Sequence, residues 1–163
     1  MSRLSNKRAY ITGGTGGIGR ATAVRFIEEG ARVWLSDHTD AVREVAEAIG
    51  AAGSDVVDVT DREAVQASVA AAAEALGGLD VLFLNAGTEG QVAPIAVAEP
   101  ALFQRVLDEN LFGPPHALQA ALGLGVARAD QQRLVQRGAH AFGQVSGQQG
   151  GLVELAQPLA RGM

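Results

Sequence analysis

The chain has 163 residues, a length that makes one domain and can bury a real core. Its 47% hydrophobic and 19% charged residues exclude a disordered polymer, and its net charge of −5 gives no electrostatic case for nucleic acid or an anionic membrane. It has no cysteine, which excludes disulfides and thiolate metal sites, and its three histidines, His38, His116 and His140, are too scattered to form a ligand set. No apolar run has the length of a membrane span, and the opening MSRLSNKRAY lacks a signal-peptide core, so a cytoplasmic protein is expected.

Arg8 to Thr12 is a short β-prone run that enters a glycine cluster, Gly13 to Gly19. Arg20 to Glu29 has a helical pattern, with Ala21, Val24, Phe26 and Ile27 apolar, and stops at Gly30. Arg32 to Leu35 predicts a second strand ending in Ser36–Asp37. Thr39 is placed to cap a helix over Asp40 to Ile49, which Gly50 closes. Asp55 to Val59 predicts a third strand, and Thr60 is placed to cap a helix from Asp61 to Leu76, closed by Gly77–Gly78. Val81 to Leu84 is apolar throughout, as suits a parallel strand covered on both faces. The alternation βαβαβαβ with short connections predicts an α/β fold, a Rossmann-type doubly wound parallel sheet in the order 3-2-1-4.

After Gly87 comes a loop and then a helical stretch from about Pro100 to Leu122. Gly113–Pro114–Pro115 predicts a break or kink in it, because proline removes an amide donor and crowds the preceding turn. From Gly123 the composition changes: the tail holds seven of the eleven glutamines and no Ile, Lys, Tyr or Trp. Its strand-like runs, around Leu134–Val135 and Phe142 to Ser146, are poor. The division expected is a dinucleotide-binding domain over 1–122 and a divergent tail over 123–163, which leaves the sheet incomplete and Val81 to Leu84 as an apolar edge.

Thr12 to Gly19 reads TGGTGGIG. Glycines between a strand and a helix allow a tight turn and let the main chain approach a pyrophosphate, whose charge suits the free amides at the helix start. Gly14, Gly16 and Gly19 fit GxGxxG. Gly13, Gly16 and Gly19 fit an extended epimerase-like spacing, and Gly13, Gly17 and Gly19 fit TGxxxGxG, so the loop alone does not choose among them. Thr15 and Ile18 lie within the same loop. Asp37 ends the second strand 18 residues after Gly19. A carboxylate there accepts hydrogen bonds from the adenine ribose and repels a 2′-phosphate, which favours NAD. Arg20 and Arg32 keep NADP open as the alternative.

With three further segments, these residues resemble the short-chain dehydrogenase/reductase family. Asp58–Val59–Thr60–Asp61 is similar to its acidic dipeptide after strand three, which frames the adenine. Leu84–Asn85–Ala86–Gly87 is similar to its NNAG signature, with leucine in place of the first asparagine. Asn110, 25 residues after Asn85, is similar to its active-site asparagine. The resemblance covers Lys7 to about Leu122. It implies a dinucleotide cofactor held by Gly13, Thr15, Gly17, Ile18, Gly19, Asp37, Asp58, Val59, Asn85, Ala86 and Gly87. It also implies hydride transfer with an alcohol or carbonyl, with Asn110 holding a water in the proton relay.

The same resemblance calls for a tyrosine as general acid/base, a lysine four residues later to lower its pKa, and a serine on the substrate carbonyl. The only tyrosine is Tyr10 and the only lysine is Lys7, both before the glycine loop; the one serine after Asn110, Ser146, follows it by 36 residues. The chain is therefore read as a family member truncated or frameshifted past Leu122, with a genuine divergent C-terminus as the alternative. Three functions follow: an NAD-dependent oxidoreductase by lineage, a dinucleotide-binding module without chemistry, or an interaction partner. A homo-oligomer or pairing with a full-length relative is the expected assembly.

Overall fold

The computed structural model describes residues 2–91, 93–124 and 151–154. Strand β1, Arg8–Thr12, is central and buried on both sides. Its alternate residues therefore feed two cores. Ala9 and Ile11 pack with Val33, Leu35 and Val81 under α1 (Gly17–Glu28) and α2 (Ala41–Ile49). Tyr10 packs with Leu82 and Leu84 against α3 (Arg62–Leu76) and α5 (Gly113–Gly123). The result is helix on both faces of one sheet, as parallel pairing through helical crossovers demands.

Strands β2 (Arg32–Asp37), β3 (Gly53–Val56) and β4 (Val81–Leu84) pair in parallel in the expected order 3-2-1-4, in register Ala9↔Val33 and Ala9↔Val81. The expected apolar edge is covered. Gly151–Glu154 forms β5, antiparallel to β4 with Val81 opposite Glu154, so the sheet reads β3-β2-β1-β4-β5. The tail thus supplies the strand that β4 lacked. The sequence reading did not single out Gly151–Glu154; the two strand-like runs it did name in the tail, around Leu134–Val135 and Phe142 to Ser146, lie outside the described residues, as do His140 and Ser146.

Several boundaries differ from the sequence reading for identifiable reasons. Helix α1 starts at Gly17, inside the glycine run, and its buried positions are Gly19 and Ala23 while Ala21 is exposed. Strand β3 begins at Gly53, paired with Trp34, where a β-carbon would lie 2.3 Å from the indole ring and so only glycine fits. It ends at Val56, which leaves Asp58 and Val59 in the following loop. Thr39 and Thr60 are not caps. The Asp61 carboxylate caps α3 by accepting from the Ala64 amide at 3.0 Å, and α2 starts after Asp40 without a side-chain cap.

The expected break at Gly113–Pro115 is instead a change of helical pitch. Helix α4 (Pro100–Leu107) runs into a π-helical turn, Asp108–Phe112, and then into α5, whose first turn holds both prolines. Pro114 and Pro115 have no amide hydrogen for the carbonyls four residues back, and the Gly113 amide reaches the Asp108 carbonyl, five back.

At the N-terminal ends of the strands, Arg8 clamps Asp80. Its Nε lies 2.7 Å from Oδ2, a second guanidinium nitrogen lies 3.0 Å from Oδ1, and its backbone amide also donates to Oδ2. Arg8 also donates to the Gly77 carbonyl, and Arg32 donates to the carbonyls of Ala75 and Leu76. Two arginines thus satisfy the C-terminal end of α3. Burial alone would raise the Asp80 pKa, but the hydrogen bonds and charge of Arg8 outweigh it and hold the carboxyl below its usual value.

Candidate dinucleotide site at the C-terminal edge of the sheet

The four parallel strands end side by side, and the loops that leave them carry the residues singled out by sequence. Thr12, the last residue of β1, fixes the arrangement: its hydroxyl accepts from the amides of Asn85 and Ala86, both at 3.0 Å. Asn85 Nδ2 returns to the carbonyls of Thr12 and Gly13 at 3.3 and 3.4 Å. The segment after β4 is thereby stitched to the glycine loop. Thr12 was absent from the expected site; its place directly before the glycines was the available signal.

The glycines serve two different needs. Gly13 has φ +69°, and a side chain on it would crowd Asn85 and the Ala86 backbone. A β-carbon on Gly19 would sit 2.1 Å from the Gly13 carbonyl oxygen. Gly17 has neither constraint: among the described residues nothing lies within 4 Å of the place its side chain would fill. Gly17, Ile18 and Gly19 open α1, and the first bond back to the cap runs from the Arg20 amide to the Gly16 carbonyl. The amides of Gly17, Ile18 and Gly19 thus precede the helical ladder, and Gly16 has no side chain to cap them. An open cradle of this kind at a helix start fits a pyrophosphate.

Asp37 ends β2 beside this cradle and is buried. Its Oδ2 accepts from the Thr15 amide at 3.0 Å and the Thr15 hydroxyl at 2.7 Å. Its Oδ1 faces the Thr39 amide and hydroxyl at 3.3 and 3.4 Å and His38 Nδ1 at 3.2 Å. Glycine loop and carboxylate, separate signals in sequence, are therefore one hydrogen-bonded unit. Arg32 is removed as a partner for a phosphate here, because it sits at the other end of its strand on the α3 carbonyls. Arg20 lies exposed on α1.

Asp58 lies further round the rim. Its Oδ1 accepts from the Thr60 amide at 2.9 Å and hydroxyl at 2.8 Å. The Thr60 bonds, with the charges of His38 and Arg105, hold its carboxyl below the usual range against a smaller desolvation cost. Val59 packs on Gly113, and its carbonyl lies 3.1 Å from His116 Nδ1.

Asn110, in the π-helical turn, reaches across to the segment after β4. Its Oδ1 accepts from the Thr88 amide at 2.8 Å, and its Nδ2 donates to the Thr88 carbonyl at 2.7 Å. A β-carbon on Gly87 would sit 2.6 Å from that same Oδ1. Asn110 thus pairs with a peptide group as another peptide would, and Gly87 makes room for it. Tyr10 and Lys7 are far from such use. The Tyr10 side chain is fully buried within β1. Ser68 gives its one hydrogen to Asp55, so the Tyr10 hydroxyl donates to Ser68, 2.9 Å away. Burial pushes the phenol pKa up against the lowering effect of Ser36 and Ser68.

Comparison with known proteins agrees with this geometry. Galactitol 2-dehydrogenase of Agrobacterium fabrum (strain C58 / ATCC 33970) is 39% identical over 142 residues, covering 85% of this chain and 55% of the relative. The crystal structure of NAD+-bound xylitol dehydrogenase superposes with a TM-score of 0.68 at 38% identity, over 73% of this chain and 48% of that one. Levodione reductase superposes with a TM-score of 0.70 at 37% identity, over 74% and 50%. The chain thus spans about half the length of the relatives it matches. The short chain dehydrogenase profile matches residues 7–136, a span that runs past Leu122. With that match over most of its length, and with glycine loop, Asp37, Asn85–Gly87 and Asn110 gathered at one edge of the sheet, the chain belongs to the short-chain dehydrogenase family.

Proposed function

We propose that this chain binds NAD in preference to NADP at the C-terminal edge of its sheet. The family is one of oxidoreductases that use a nicotinamide dinucleotide. The observation that carries the choice of NAD is the buried Asp37 carboxylate, hydrogen-bonded to Thr15 of the glycine loop. There it can accept from ribose hydroxyls and sets a negative charge against a 2′-phosphate. The amides of Gly17, Ile18 and Gly19 would take the pyrophosphate. Asp58 and Val59 would frame the adenine, while Asn85, Ala86 and Gly87 hold the adjoining wall.

When bound, the cofactor supplies hydride exchange with an alcohol or carbonyl carbon. Protein groups must then move a proton at the substrate oxygen, and the lineage does this with a tyrosine and a lysine. The only tyrosine of this sequence is Tyr10, which is buried and bonded to Ser68; its only lysine, Lys7, precedes β1. We therefore propose that the chain by itself holds the cofactor and turns over at no more than a trace rate. Loss of a proton-transfer group costs about 10²–10⁴ in rate. Asn110, with both amide groups committed to Thr88, would act here by holding the segment after β4.

Dissociation constants for NAD, NADP and ADP-ribose, measured with the wild type and Asp37→Ala, test this reading. NAD is expected to bind more tightly than NADP, with Asp37→Ala narrowing the gap. ADP-ribose is expected to bind within about tenfold of NAD, a difference of 1.4 kcal/mol. Tighter binding of NADP by the wild type overturns the assignment. The exposed side chains of Phe103, Leu111 and Phe112 on the α4–α5 side suit pairing with a second copy or a longer relative, which we propose as the assembly.

A further inference from the structure

A cleft lies between the loop after β3 and the segment after β4, with Val59 on one wall, Leu84 and Ala86 on the other, and Gly113, Pro114 and Ala117 of α5 completing it. Its two walls are held in different ways. The Ala86 side is fixed to the sheet, since the Asn85 and Ala86 amides both donate to the Thr12 hydroxyl. Val59 stands beyond the end of β3 and its pairing with β2. The Val57 amide donates to the Asp37 carbonyl at 2.7 Å, and from there the chain folds on itself, with the Thr60 and Asp61 amides both turned back to Asp58. Among the described residues, the Val59 carbonyl has one donor, Nδ1 of the half-buried His116 on α5, 3.1 Å away. A carbonyl oxygen only accepts, so Nδ1 carries the proton whether the ring is neutral or charged. One turn earlier on the same helix Gly113 lies bare against Val59, where a β-carbon would come within 3.1 Å of Cγ2 and 3.3 Å of the carbonyl oxygen. The helix thus meets Val59 at two points, and the one made by His116 is directional.

We propose that His116 is a positioning residue for the adenine end of the site: its bond to the Val59 carbonyl fastens the loop after β3 to α5 and so sets the width of the cleft that receives the base. The inference rests on the reading of Asp58 and Val59 as the adenine frame. A flat base needs two walls at a fixed separation, and a wall that is free to drift must be ordered when the ligand binds, at a cost in affinity. With His116 in place that ordering is complete once the protein has folded. His116 acts through Val59, so the part of the dinucleotide it serves is the adenosine and not the nicotinamide. Because Nδ1 donates in both charge states of the ring, the effect does not depend on pH.

The test is the dissociation constant for ADP-ribose with the full chain, His116→Leu, His116→Asn and Asp58→Ala. Leucine keeps a branched side chain without a donor, and asparagine puts an amide nitrogen on Cγ where Nδ1 stands. His116→Leu is expected to bind ADP-ribose about three- to tenfold more weakly, the size of one lost hydrogen bond, and His116→Asn to stay within about twofold of the wild type. Exchange of the Asp61 amide, bonded to the Asp58 carbonyl in the same loop, is expected to quicken in His116→Leu and to recover in His116→Asn, while the Thr88 amide, held by Asn110, keeps its wild-type rate. Wild-type affinity in His116→Leu, equal losses in the two variants at position 116, or equal quickening at Asp61 and Thr88 overturns the role of this bond. The reading of the site fails separately, if Asp58→Ala leaves ADP-ribose binding unchanged or the wild type does not bind it.

Discussion

Gly17 and Gly19 stand two positions apart in the first turn of α1 and answer to different demands. Gly19 is required by the protein itself, since any side chain would enter the Gly13 carbonyl. Among the described residues no atom lies within 4 Å of the side chain that Gly17 lacks, so the need for a bare position there fits an approaching ligand. Gly19→Ala is expected to destabilise the fold by about 1–3 kcal/mol, the usual cost of overpacking. Gly17→Ala is expected to keep or gain up to about 1 kcal/mol of stability from helix propensity, yet to lose at least about tenfold in NAD affinity. Urea denaturation and a binding isotherm on each variant check the pair. Equal affinity in Gly17→Ala and wild type would mean that the loop is a plain connection. The sequence named both glycines for the same reason. Spacing alone cannot tell a glycine that serves the chain from one that serves a ligand, because the distinguishing contact, Gly13 with Gly19, lies across the turn.

Among the elements, the four parallel strands were legible because apolar runs and glycine stops are local signals, and their order followed from the crossovers; β5, pairing across a long stretch of chain, was not. The joints between elements were less legible. Thr60 and Asp61 are both good caps; Asp61 takes the Ala64 amide, while Thr60 turns its hydroxyl to Asp58. The π-helical turn was hidden because prolines announce a missing donor without saying how the chain compensates. Two joints give measurable consequences. Asn110→Ala removes both bonds to Thr88 and is expected to cost about 1 kcal/mol, seen most directly as faster hydrogen exchange of the Thr88 amide. Unchanged protection there would mean that the pairing does not hold the loop. Arg8 and Asp80 tie β1, β4 and the end of α3 together at the opposite edge. Since the folded pKa of Asp80 is lowered, its contribution is present above the unfolded value near 3.8 and disappears as pH falls through the folded one. Asp80→Asn is expected to cost about 2 kcal/mol at neutral pH and progressively less as the pH falls below the ordinary carboxylate range. Denaturation curves at neutral and acid pH read the difference, and an equal loss at both would assign the effect to packing.

For the whole molecule, the sheet closes on the segment that composition had set apart. Antiparallel β5 gives the Val81–Leu84 edge a partner and limits the exposed ladder that invites aggregation. In an antiparallel pair alternate amides face the neighbour, so of Leu152→Pro and Val153→Pro one must remove a ladder bond. That variant is expected to scatter light on mild heating while its companion behaves as the wild type; identical behaviour of both would mean that β5 does not guard the edge. The polar chain beneath the sheet has a different use. Tyr10 bonds Ser68, Ser68 bonds Asp55, and Asp55 accepts from the indole of Trp34, which lies over Gly53. Trp34 is the only tryptophan, and it faces the α3 core with Tyr10 while Asp37, three residues on, faces the glycine loop side. The molecule therefore carries its one tryptophan in the middle of β2, back from the C-terminal strand end where the proposed site lies. Its emission is expected to report faithfully on unfolding and to stay nearly silent when the site fills.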